Sequence, residues 1–183
     1  MGMGPNLACG MVLPHLQYCL MAWGDFEACG NLMRAAALLR AQKRFVGLMA
    51  GKRGLYHADP LFARFGVLKV GDLYRQQVRL HAWKFQNGKL PENQAAMLQR
   101  AEARHGYGTR SARAGGLAVT TRDHRSVGFS IPKEWGSLSP SLRGAPTLSS
   151  FKRASRLGFL GTYGAFVCEE RECRVCTGGR YGG

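Results

Sequence analysis

Apolar residues recur every three or four positions over long stretches of this chain, and that period predicts a mainly α fold. Between 31 and 50, Leu38, Ala41, Phe45 and Leu48 form an apolar stripe, Asn31 is placed to cap, and Gly51 is a stop. Arg40, Lys43 and Arg44 fall outside the stripe. A second helix is predicted over 71–87. Leu73, Tyr74, Val78, Leu80 and Phe85 share one arc, Asp72 is positioned to cap, and Asn87-Gly88 ends the run. Arg75 and Arg79 lie opposite, one turn apart. His81 falls inside the apolar arc and reads as a buried, hydrogen-bonded histidine. Pro91 suits the first turn of a third helix, over 91–104. Thr147 caps a last one, over 147–160, with Leu148, Phe151 and Leu157 inward and Lys152, Arg153 and Arg156 outward.

The segments between are less regular. Residues 52–68 read as a connector with a turn at Asp59-Pro60, anchored by Leu61, Phe62, Phe65, Val67 and Leu68. Residues 105–126 read as a basic, glycine-rich loop. Val127 to Ile131 reads as a short strand stopped by Pro132, so any β element is small and lies within 117–131. Trp135, Leu138 and Leu142 share a helical spacing, which assigns them to a core. Residues 11–23 are apolar, with little nearby to bury them. The resulting division is 1–30, an apolar segment; 31–104, a helical region; 105–163, loop, strand and last helix; and 164–183, a cysteine-containing tail.

Charge sharpens this picture. Lys and Arg number 26 against 11 Asp and Glu, a formal net charge of +15. Residues 31–160 hold 23 of the bases and six of the acids. Arginine dominates, 19 of 26, and its planar guanidinium binds phosphate bidentately, which favours a polyanionic partner. A GC-rich gene would also raise Arg, Gly and Ala together. The four aspartates, Asp25, Asp59, Asp72 and Asp123, are scattered, so no local carboxylate cluster offers a two-metal phosphoryl-transfer centre. Residues 1–23 lack the basic start of a secretory signal, and Pro14, His15 and Gln17 interrupt the apolar run. The expectation is an intracellular protein, nuclear or cytoplasmic, with reduced thiols and no membrane partner.

Cys168, Cys173 and Cys176 have knuckle-like spacing, but zinc takes four ligands and only three are local. The fourth would have to be His124, His105 or an N-terminal cysteine. The incomplete set favours reduced thiols over zinc, and no cofactor is expected. Six Cys and five His also offer formal hydrolase pairs, but no nucleophile signature surrounds them. Trp83, Phe129, Trp135 and Tyr107 are interleaved with arginines. Of these Tyr107, inside the basic loop, is the candidate to stack on a base.

Several motifs in series resemble the C-terminal part of LINE-type, non-LTR retrotransposon reverse transcriptases. They are Leu13-Pro14-His15-Leu16-Gln17-Tyr18-Cys19 with Trp23-Gly24; Leu38-Leu39-Arg40-Ala41-Gln42-Lys43-Arg44; Tyr56-His57-Ala58-Asp59-Pro60-Leu61-Phe62; Val67 to Tyr74; Leu90-Pro91-Glu92-Asn93; His105-Gly106-Tyr107-Gly108-Thr109-Arg110; and Trp135-x-x-Leu138 followed by Leu148-Ser149-Ser150-Phe151-Lys152. They span residues 11–163. The family's catalytic aspartate and its Tyr/Phe-x-Asp-Asp turn have no counterpart in this sequence, and Gly106, Gly108 and Gly136 stand where the family often has Asn. The resemblance implies a thumb-and-beyond region of an RNA-directed DNA polymerase, which grips a template–primer by its backbone. It also implies that residues 1–30 pack on a palm, that palm and fingers are partners, and that this chain alone does not polymerise. The expected partner is RNA or an RNA–DNA duplex. The expected contacts are Arg40, Lys43 and Arg44, then Arg75 and Arg79, then Arg104, Tyr107, Arg110, Arg113, Arg122 and Arg125 in the loop, then Lys152, Arg153 and Arg156. Two other readings stand beside it: an independent RNA-binding or ribonucleoprotein component, and a relic reading frame without a selected role.

Overall fold

A computed structural model of the chain describes residues 10, 14–18, 20–23, 32–52, 54–101, 115–123, 126–165 and 167–168. The fold is mainly α with one two-stranded antiparallel pair. In chain order the elements are α1 (Leu20–Trp23), α2 (Leu32–Met49), α3 (Asp59–Phe65), α4 (Val70–Gln86), α5 (Glu92–Ala95), β1 (Gln99–Arg100), β2 (Leu117–Ala118), α6 (Val127–Gly136), α7 (Pro140–Arg143) and α8 (Leu148–Gly164). The central element is α4, against which α1, α2, α6 and α8 all pack.

The core joins residues far apart in the sequence. Phe151 of α8 is fully buried, with Trp83 of α4 at 6.2 Å and Trp135 of α6 at 6.1 Å between ring centroids. Each indole N–H is satisfied by a backbone carbonyl, Trp83 by Ala145 at 3.2 Å and Trp135 by Gly115 at 3.0 Å. Trp135 and Leu138 are therefore core residues, as their spacing implied. Leu20 of α1 is buried, and Leu16 and Met21 pack beside it. The surface that covers this apolar stretch includes α4, fifty residues further on.

The start of α4 departs from the expected cap. Asp72 caps no helical N–H. Gln42, buried in α2, instead accepts from Val70 N at 2.8 Å and donates to the Leu68 carbonyl at 3.2 Å. One side chain thus satisfies an orphan donor of the helix and fixes the strand of chain that feeds it. Gln42 also shifts the inward row of α2. Val46 and Gly47 are buried, while Ala41 and Leu48, assigned inward from the apolar pattern, are exposed. Gly47 allows a close approach: a Cβ there would lie 2.0 Å from the Tyr56 hydroxyl, which donates to the Lys43 carbonyl at 2.9 Å, so any larger residue must displace that ring.

Four further expectations are corrected. The connector contains α3, with Pro60 in the first turn, where a missing N–H costs nothing, and Gly66 ending it at φ 62°. Of the helix expected over 91–104, the described part, up to Ala101, holds only the single turn of α5. Past it, Gln99 and Arg100 pair with Ala118 and Leu117, and Ala101 N donates to Gly116 O at 3.0 Å. Cross-strand pairing outcompetes continuation of the helix here. Val127–Ile131 is not a strand but the start of α6. Ser126 caps it, and Pro132 lies inside it. Proline deprives the Gly128 carbonyl of its helical partner, and Thr120 N supplies the replacement at 3.3 Å. The last helix runs on to Gly164, and its buried row is Phe151, Ser155, Phe159 and Tyr163, with Leu157 exposed. The Thr147–Ser150 capping box starts it.

Candidate nucleic-acid interface

Among the described residues the candidate bases are of two kinds. Arg75 and Arg79 project from α4 toward Glu134 of α6. Arg75 Nε lies 2.7 Å from Oε1 and Arg79 Nε 2.9 Å from Oε2. Both guanidinium groups also lie over the Phe159 ring of α8, at 5.5 and 4.4 Å. The Arg79 side chain is only 11% exposed, against 45% for Arg75. Arg79 is therefore not on an open face. It clamps three helices together, and its charge is answered inside the fold.

A second polar seam lies at the start of α4. Lys69 Nζ pairs with Asp59 at 2.8 Å and sits 4.6 Å from the centroid of the Tyr163 ring. The Tyr163 hydroxyl donates to Asp72 and accepts from Lys69 N at 3.3 Å. Burial first, then the hydrogen bond to Asp72, pushes that hydroxyl well above the usual tyrosine range. Between them these seams engage Asp59, Asp72 and Glu134.

The bases of α2 are of the other kind. Arg34, Arg40, Lys43 and Arg44 are exposed, as is Lys52 in the following turn. From residue 28 to residue 58 the sequence holds six bases and no acid. Among the described residues none of these five bases pairs with a carboxylate. Arg34 and Lys52 were not singled out from the sequence, although the acid-free run would have identified them. Lys152, Arg153 and Arg156 are exposed on α8, which also lacks acids. Arg156 donates to the Gly66 carbonyl, which ties its guanidinium to the end of α3. Arg122 is exposed beside β2.

Arg104, Tyr107, Arg110, Arg113 and Arg125 lie outside the described residues, as do Cys173 and Cys176. Cys168 is a half-buried free thiol. Among the described residues no three His, Cys, Asp or Glu side chains converge on a point that could hold a metal. An open groove of about 490 Å³ is lined by Phe85, Leu90, Leu98 and Arg100, and Arg100 is already engaged with the Gln86 carbonyl. His81 is half-buried, and burial, then the charge of Lys84, lowers its pKa below the usual histidine value. No helix of the described residues is long and apolar enough to cross a membrane.

Electrostatically, a helix carrying exposed, unneutralised Arg and Lys can hold successive phosphates without reading base sequence. Comparison with known proteins returns no matching family model, no matching curated protein and no matching solved structure.

Proposed function

We infer that this chain is a nucleic-acid-binding module that grips RNA or an RNA–DNA duplex by its backbone, in the manner of the thumb and downstream region of a LINE-type reverse transcriptase. The observation that carries this reading is the separation of charge. Three of the described acids are used in the seams Asp59–Lys69, Asp72–Tyr163 and Glu134–Arg75/Arg79, while Arg34, Arg40, Lys43, Arg44 and Lys52 face solvent without a carboxylate partner. Globular stability alone gives no reason to leave the two long basic helices α2 and α8 acid-free. Phosphate binding does. Polymerase chemistry is no part of the proposal for this chain, and a palm and fingers joined to it would supply the catalytic carboxylates.

Equilibrium binding to a short RNA and to an RNA–DNA duplex, titrated with salt, tests the reading. Log affinity should fall linearly with log salt, with a slope of about −0.7 to −0.9 per phosphate contacted. Replacing Arg40, Lys43 and Arg44 with Ala should weaken binding to all sequences alike and flatten that slope by about 2–3. Affinity that ignores salt, or that survives the triple replacement unchanged, refutes it.

A further inference from the structure

We propose that the turn closing α2 is a nucleobase contact, in which Leu48 and Leu55 touch the faces of unpaired bases while Arg44 and Lys52 hold the flanking phosphates. This rests on the reading that the chain binds nucleic acid, and it adds single-stranded character to the partner.

Leu48 is 76% exposed and Leu55 is 70% exposed. Leu38 and Leu39 of the same helix are packed against the core. Exposure of two large aliphatic side chains, one in the last turn of α2 and one seven residues on, is not required by packing, since both could be polar at no cost to the core. The turn is held in place. Lys52 N donates to the Gly47 carbonyl at 2.9 Å, and Gly51 adopts φ 65° and Gly54 φ 82°. Behind it Tyr56 lies in the space that Gly47 leaves open and donates to the Lys43 carbonyl. Leu48 is thus presented from a braced helix end, with Leu55 in the segment that follows.

Charge selects the occupant. An apolar protein surface would accept Leu48 and Leu55 but gives no role to a surrounding run of bases without a single acid. A nucleic acid offers phosphates outside and apolar base faces within, and aliphatic side chains beside Arg or Lys are a known form of wedge against a base step. Paired bases inside a duplex must first be unstacked, at an energetic cost for each step, before such a contact forms. An overhang or an unpaired end is open. An anionic membrane would take the charges too, but insertion needs a broad apolar helix face, and here Arg40, Lys43 and Arg44 interrupt it.

The test uses the whole 183-residue chain and three probes: a single-stranded RNA with a fluorescent 2-aminopurine, the same strand fully paired, and vesicles of mixed neutral and anionic phospholipid. Wild type should bind the single strand more tightly than the duplex and change the 2-aminopurine signal. The Leu48→Ser/Leu55→Ser variant should keep its unfolding midpoint, since both side chains are exposed. It should lose about tenfold in single-strand affinity and lose the fluorescence change, while its duplex affinity and salt slope stay as in wild type. Arg44→Ala/Lys52→Ala should weaken both nucleic-acid probes and lower the salt slope by about 1.5–2. If wild type binds neither RNA probe, the nucleic-acid reading fails and this inference with it. If binding is steeply salt-dependent but indifferent to the leucine pair, only this inference falls. Leucine-dependent binding to vesicles with no effect on RNA would also overturn it.

Discussion

Arg79 Nε lies 2.9 Å from Glu134 Oε2, across the seam where α4 meets α6. The residues are 55 positions apart, and the carboxylate accepts Arg75 on its other oxygen. Glu134→Gln removes the charge while nearly keeping the shape. It should destabilise the fold by about 1–3 kcal/mol, because hydrogen bonds to charged groups are the strong ones. Arg79→Ala should cost more than Arg75→Ala, since Arg75 is half solvated and its pair is screened. Urea unfolding of the three variants measures the order. Equal effects, or none, would show that the clamp is incidental.

Gln42 serves Val70 N and Leu68 O from inside the fold. Gln42→Leu fills similar space but leaves both backbone groups without partners. A loss of about 1–3 kcal/mol is expected, with faster hydrogen exchange at Val70 than elsewhere in α4. Unchanged exchange at Val70 would contradict this capping role.

Gly47→Ala should reverse sign with its neighbour. Alanine is the better helix former by about 1 kcal/mol, yet here its Cβ collides with Tyr56. In wild type the substitution should therefore destabilise. In a Tyr56→Ala background it should stabilise by about 1 kcal/mol. A double-mutant cycle reads the coupling directly.

Acid should weaken the fold through His81. Burial and Lys84 lower its folded pKa below the ordinary histidine value of 6.5. Below 6.5 the unfolded chain takes up the proton more readily than the folded one. The stability this gives to the neutral form is complete above pH 6.5 and is lost progressively as pH falls from there toward the lowered folded pKa. Thermal midpoints at pH 7.5 and 5.5 should differ more for wild type than for His81→Leu. The same drop in both would assign the acid sensitivity to other groups.

The helices of 31–50, 71–87 and 147–160 were legible because long apolar periods and caps such as Thr147 act locally. What escaped depended on distant partners. Pro132 reads as a terminator until Thr120 is seen to take the Gly128 carbonyl. Gln42 reads as polar surface until Val70 and Leu68 meet it. Leu98 is buried in a pattern that fits a helix or a strand equally, and only pairing across to Leu117–Ala118 decides. On the candidate site, the exposure of Arg40, Lys43 and Arg44 follows from their place on α2. The sequestration of Arg79 does not, because Glu134 carries no local signal that it folds back onto α4.

Tyr163 closes the entrance to α4 from near the end of the described chain, 94 residues after Lys69, whose N–H it receives. During synthesis from the N-terminus, that junction waits until the last helix emerges. At roughly 5–20 residues per second the delay is about 5–20 s, far longer than a helix needs to form. Through that interval the first turn of α4 has Gln42 but not Tyr163, and the faces awaiting Phe151 and Phe159 stand open to water. A nascent chain of this protein is therefore at its most adhesive just before Tyr163 emerges, and stalling or truncation ahead of that residue should send it to chaperones or into aggregates.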